Sequence, residues 1–281
     1  MVRSRVIVGV GEAFLAETSD REVPAGLALL VPMHAVLLGH TGIAVSRLGQ
    51  DSSAELLLSA LRDHGVDVGH LQSDPDLATA RARLSDNGAI DRLDPHAAFD
   101  NLQWDFDLQD VAQRADAVVF GALSRRSGQA RSATDRFLDA CSRAVRVFDT
   151  TGCTGDDQNR ARVLSGLRHA GVVVVDDDSL RLIQPGAAEG SPREAANDLL
   201  HQGLDVVLIA QEGRPLAVQT TSTFLETELA HQRRTHGASL AGFLHGTLAG
   251  WDVKASMQLA ERLARHELEH PNQPPPPEWL G

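Results

Sequence analysis

Hydrophobic positions along this chain follow two rhythms. Short apolar runs, rich in β-branched residues, recur at residues 6–10, 43–47, 117–121, 145–149, 172–176 and 206–210. Runs of this length and makeup read as buried strands. Between them the spacing becomes helical. Residues 53–64 place Leu56, Leu57, Ala60 and Leu61 on one face, with Gly65 as a stop, and residues 35–39 lie in a helical stretch ending at Gly39. Residues 108–114, 132–141, 160–169 and 192–201 read as further helices. Strands separated by helices imply right-handed crossovers and a mainly parallel sheet covered on both faces. The predicted fold is therefore a single three-layer α/β/α domain over residues 1–281. Two segments break the rhythm. Residues 12–24 and 78–92 alternate as half-exposed strands do, with turns at Ser19-Asp20 and Asp86-Asn87-Gly88. They are expected to pair as a small β-flap beside the main sheet. Residues 271–281 carry four consecutive prolines and read as an extended tail.

Composition narrows the function classes. With 42% hydrophobic and 23% charged residues the chain is globular. Its longest apolar runs, 25–36 and 171–175, fall short of the ~20 residues of a membrane span. No secretory pattern follows the first strand, so a cytoplasmic location and no membrane partner are expected. A net charge of −12 argues against a nucleic-acid face. The single lysine, Lys254, excludes a P-loop, and Gly9-Val10-Gly11 lacks the rest of a dinucleotide fingerprint. Cys141 and Cys153 make neither a disulfide framework nor a zinc site, and no metal centre is predicted.

Ligands of open parallel sheets bind beyond the carboxyl ends of the strands. The residues at those ends are Glu12, Arg47, Asp51, the stretch Asp149-Thr150-Thr151, the acidic run Asp176-Asp177-Asp178, and Gln211-Glu212. There the sequence resembles a known family. VGVGEAFL at 8–15, GHTGIAVSRLGQD at 39–51, LLSALRDHGVDV at 57–68, residues 99–104, RADAVVFGALSRR at 114–126, RVFD at 146–149, GVVVVDDDSL at 171–180, and residues 236–250 with Trp251 fall in the family's order. They resemble the ribokinase-like (PfkB) carbohydrate kinases, most closely the fructokinase-like branch. The resemblance implies a Gly-Gly…Asn stretch that holds sugar hydroxyls, and ATP with magnesium as cofactors. It also implies an Asp-Thr-x-Gly-Ala-Gly-Asp signature, whose amides form an anion hole and whose last Asp is the base.

The chain departs from that pattern at each functional piece. The sugar-gripping Asp falls at Ala16. The spacing from Gly26 to Gly39 is kept, but the leading glycine is Ala25 and the sugar-binding Asn is Leu30. After Phe148-Asp149 the chain reads Thr151-Gly152-Cys153. The Asn-x-x-Glu that supports magnesium and phosphates reads Asp176-Asp177-Asp178-Ser179. The nucleotide strand carries Leu208 and Ala210. The signature itself becomes Arg234-Thr235-His236-Gly237-Ala238-Ser239-Leu240, with about three residues missing before Gly246. A hydroxyl left unpaired against Leu30 or Leu208 costs ~1–3 kcal/mol, and loss of a positioned base costs ~10²–10⁴-fold in rate.

The resemblance thus implies a degenerate sugar-kinase homologue that has lost phosphotransfer and binds a small molecule or a protein partner, with no cofactor expected. A flap-to-flap homodimer is part of that expectation. The alternative is an ATP- and magnesium-dependent carbohydrate kinase, fructose-like in substrate, with altered residues. The remnant anion hole would be Gly237, Ala238 and Ser239. His236 is either a substitute base or a partly exposed loop histidine. Asp176–178 either hold a cation or form a solvated loop, and Cys153 is reactive only with a cationic neighbour. Arg234 either binds an anion or is a surface arginine. Trp104, Trp251 and Trp279 are read as packing residues.

Overall fold

The computed structural model describes residues 3–153, 155, 157–184 and 191–281. In chain order its first elements are β1 Val6–Val10, β2 Phe14–Glu17, β3 Glu22–Ala25, α1 Leu27–Leu37, β4 Thr41–Gly49, α2 Ser52–Asp63, β5 Leu71–Asp74, β6 Ala80–Leu84 and β7 Ile90–Leu93. The middle of the chain forms α3 Phe106–Arg114, β8 Ala117–Gly121, α4 Gly128–Ala140, β9 Val145–Asp149, α5 Asp157–Leu167, β10 Val172–Val175, α6 Asp177–Ile183 and α7 Pro192–His201. Last come β11 Val206–Ile209, β12 Pro215–Gln219, β13 Phe224–Ala230, α8 His236–Leu248 and α9 Val253–Glu269.

The six runs read as strands lie in one nine-stranded sheet of order β13-β12-β11-β10-β9-β8-β1-β4-β5. Pairing is parallel from β11 to β5 and antiparallel where β12 and β13 close one edge. Successive residues of a strand face opposite layers. Val173 and Val175 pack with Leu108, Phe137, Val163, Leu180 and Ala195 from α3 to α7. Val172, Val174 and Leu208 pack with Val31, Phe243 and Met257 from α1, α8 and α9. Two apolar faces on every central strand explain their continuous hydrophobicity. Helix α1 lies so close to β1 that a Cβ at Gly9 would stand 2.7 Å from the carbonyl oxygens of Leu27 and Ala28.

Helix starts follow their caps. Asp105, Ser127 and Asp252 each accept a backbone N–H three residues on, which begins α3 and α4 earlier than apolar spacing alone suggests. Helix α9, absent from the sequence reading, buries Met257, Leu259, Ala260, Leu263 and Ala264 along one stripe. Among the described residues, no helix is long and apolar enough to cross a membrane.

Strands β3-β2-β6-β7 form a second, four-stranded sheet, with β2 and β6 parallel. Its apolar face is covered within the chain: Phe14, Ala16, Ala80 and Ala82 pack on Ala97 and Phe99. The flap's buried Phe14 therefore supplies no reason for a second copy to bind there. Arg126 fastens this unit, donating from Nε and Nη2 to Asp100 at 2.6 Å each and stacking 4.3 Å over Phe99. The tail also differs from a free extended coil. Pro275 is buried, Pro277–Trp279 forms a short 3-10 turn, and Trp279 and Leu280 pack against a cluster on α8 and α9. Apolar side chains flanking the prolines dock the segment.

Candidate functional site

Strand β9 ends at Asp149, and α8 starts at His236 directly opposite. His236 Nε2 donates to Asp149 Oδ2 at 2.6 Å, and both residues are buried. Burial alone would raise the Asp149 carboxyl, but the charge and hydrogen bond of His236 override it and hold Asp149 below its ordinary range. His231, just beyond β13, meets the His236 ring edge-on at 5.2 Å. Burial, with His236 beside it, pushes His231 down to about 3. His236 is thus not a partly exposed loop residue. It is the first residue of a helix, locked onto the end of the central sheet.

A second carboxyl stands behind this pair. Glu12 follows β1 and is 3% exposed, and its Oε2 has no hydrogen-bond partner among the described residues. The space it fills exists because residue 121 is glycine: a Cβ there would collide with the Glu12 carboxyl. Burial, with the charge of Asp149 in addition, pushes Glu12 up to about 8, so it is neutral at pH 7. Its place at a strand end is legible in the sequence; its protonation is not, because that depends on distant residues closing over it.

The acidic run does not form a solvated loop. Asp176 caps α6, its Oδ1 accepting from Ser179 N at 2.9 Å and its Oδ2 from Gly152 N at 2.7 Å, with Arg233 at 3.6 Å. Ser179 Oγ accepts in return from Asp176 N at 2.9 Å. Asp177 accepts from Gln211, and Asp178 pairs with Arg181 at 3.1 Å. Each carboxylate already has a partner. No group of three or more metal-ligating side chains is brought together among the described residues.

The other candidates are dispersed. Gly237 faces Leu30: a Cβ on Gly237 would stand 3.0 Å from Leu30 Cβ and 3.0 Å from His34 Cδ2. Ala238 and Ser239 are buried in the first turn of α8, and Leu240 packs into the layer beneath the sheet. Ala16 lies in the flap core, and Gly26 precedes α1 with φ +96°. Leu208 is wholly buried in the α8 layer, and Ala210 with it. Cys153 is pushed up to about 12 by burial, then by Asp149, Asp176 and Glu12, so it is no nucleophile. Arg234 is exposed. The β6–β7 turn reaches the same segment: a Cβ on Gly88 would lie 3.2 Å from Arg234 N.

The model of the pfkB family of carbohydrate kinases matches residues 15–277. The chain belongs to that family. Among solved structures it is similar to a PfkB protein from Polaromonas sp. JS666, at 16% identity, with 99% of each chain covered and a TM-score of 0.80. It is similar also to aminoimidazole riboside kinase from Salmonella enterica, solved with aminoimidazole riboside and an ATP analogue, at 18% identity, 98% of each chain and a TM-score of 0.77. The fructokinase of Xylella fastidiosa, solved with bound ATP, aligns at 15% identity over 97% of this chain and 96% of its own, with a TM-score of 0.76. No curated protein matches the sequence. At these identities the family's fold carries over and its residues must be checked one by one.

Proposed function

We propose that this family member does not transfer phosphate to a sugar, and acts by binding a small molecule or a protein partner without ATP or magnesium. One observation carries the reading. Where α8 begins, the position facing Leu30 is Gly237, which has no side chain. A phosphoryl acceptor needs a proton acceptor and hydrogen-bonding groups around the attacking hydroxyl. Here Gly237 and Leu30 supply neither, and the third group beside them is the ring of His34. The buried helix start supports the same conclusion, since Ala238, Ser239 and Leu240 have little contact with solvent. On the nucleotide side Asp176, Asp177 and Asp178 hold internal partners rather than presenting oxygens.

A second reading rests on the Asp149–His236 pair. A histidine oriented by a buried carboxylate is how many enzymes build a base, and in that case ATP and magnesium would be the cofactors. In that arrangement Nε2–H orients the ring on Asp149, and Nδ1 would be the proton acceptor. An ADP-release assay on purified protein with fructose, ribose and related sugars separates the two. No sugar-dependent turnover is expected. Turnover that disappears in His236→Ala would establish the second reading instead. A thermal-shift screen with sugars, nucleotides and magnesium would then find the ligand, because binding to the native state raises its stability.

A further inference from the structure

On the opposite end of α8 from the site, two buried imidazoles touch. His40 Nε2 lies 3.0 Å from His245 Nδ1, and the rings are 4.9 Å apart. Their neighbours fix the hydrogens. The backbone N–H of Arg5 donates to His40 Nδ1 at 3.2 Å, so that nitrogen is an acceptor. The hydrogen of neutral His40 is then on Nε2 and points at His245 Nδ1. His245 must accept there and carry its own hydrogen on Nε2, which lies 3.3 Å from the carbonyl oxygen of Leu280. The result is a one-way chain of donors from Arg5, before the first strand, through His40 and His245 to the docked tail.

We propose that residues 271–281 are a strap held across α8 by this relay, and that protonation of either histidine releases it. An imidazolium donates from both nitrogens. His40 as a cation would turn a donor toward the Arg5 N–H, and His245 as a cation would turn one toward His40. Each makes a donor–donor clash in a buried site. The charged groups facing His40 are Arg5 and Asp116, and burial, with His245 next to it, lowers His40 to about 4. His245 also meets Trp251 edge-on at 5.5 Å. The strap's other polar and aromatic contacts include Asn272 N to Glu267 at 3.1 Å, Gln273 N to the carbonyl of His270 at 3.2 Å, and Trp279 against His266 at 5.7 Å.

The test uses the full chain labelled with 15N. Long-range proton–nitrogen spectra at pH 7.5 should show both rings as Nε2–H tautomers. Acidification should then raise the opening constants of the Trp279 and Leu280 amides, with intrinsic exchange rates divided out, about tenfold per pH unit between 6.5 and 4. His245→Phe keeps the ring shape and removes both of its nitrogens, and should reduce that pH dependence to the share that His40 carries. An Nδ1–H tautomer on either ring overturns the proposal. So do strap opening constants that stay flat between pH 6.5 and 4. If His245→Phe fails to fold, the tautomers of the unmodified protein decide.

Discussion

His236 Nε2 stands 2.6 Å from Asp149 Oδ2, joining residues 87 positions apart in the chain. One ends a central strand and the other starts a helix, so the contact ties the sheet to the layer beneath it. The two partners are unequal when removed. His236→Ala leaves a buried carboxylate without its side-chain donor, and should cost about 3 kcal/mol. Asp149→Asn leaves a neutral amide that still accepts a hydrogen bond, and should cost about 1 kcal/mol. Urea unfolding at pH 7 reads both losses, and equal losses would count against a carboxylate that depends on this donor.

Arg126 makes a second prediction. Its guanidinium is shared by the buried Asp100, the carbonyl of Asp94 at 2.8 Å and the Phe99 ring. Replacing it with alanine leaves the buried Asp100 with only the Ala97 N–H at 2.9 Å, for a loss of about 3 kcal/mol. The loss should be local first. Amides of β6 and β7 should exchange faster than those of β8, and uniform acceleration across the molecule would show that Arg126 does not fasten the flap.

The parts legible in the sequence are those that depend on near neighbours. A valine run such as Val172–Val175 can pack on both faces only as a central strand, and it does. The acidic run shows where local reading stops one residue short. Three aspartates after a strand fit a loop or a helix start, and the reciprocal bonds between Asp176 and Ser179 decide for the helix. That spacing is visible in the sequence and is the signal to use. Helix α9 hides because charged residues fill most of its surface and dilute the stripe from Met257 to Ala264. The Asp149–His236 contact has no local signature. Neither has the neutral state of Glu12, which needs Gly121 and the start of α1 to close around it.

Both thiols should be inert. Burial pushes Cys141, like Cys153, up to about 12. A free cysteine has a pKa near 8.5, so at pH 7 the thiolate fraction here is lower by about 10³-fold. Alkylation followed by mass spectrometry on native protein should run slower by that order than on unfolded protein. Rapid labelling of Cys153 alone would mean that the β9 end opens to solvent.

The pH dependence of stability should have two opposed limbs. His34 and His40 are lowered to about 4 and His231 to about 3, each first by burial. Unfolding returns them to about 6.5, so between those values the unfolded chain binds more protons. Their contribution is complete above 6.5 and is lost as pH falls through 4, which gives a limb that rises with pH. Glu12 works in the other direction. Below 4.5, its ordinary value, both states hold the proton; between 4.5 and about 8 only the folded state does. Stability from this group therefore falls as pH rises to about 8 and is flat beyond. Above 6.5 the histidines' contribution is constant, so Glu12 alone of these four sets the slope there, at up to about 1.4 kcal/mol per pH unit. Glu12→Gln fills the same space and cannot ionise. Unfolding free energies measured by urea at pH 5, 6.5, 8 and 9 should show that the variant keeps the rising limb and loses the fall from 6.5 to 8. A fall of the same size in the variant would place the proton elsewhere than on Glu12.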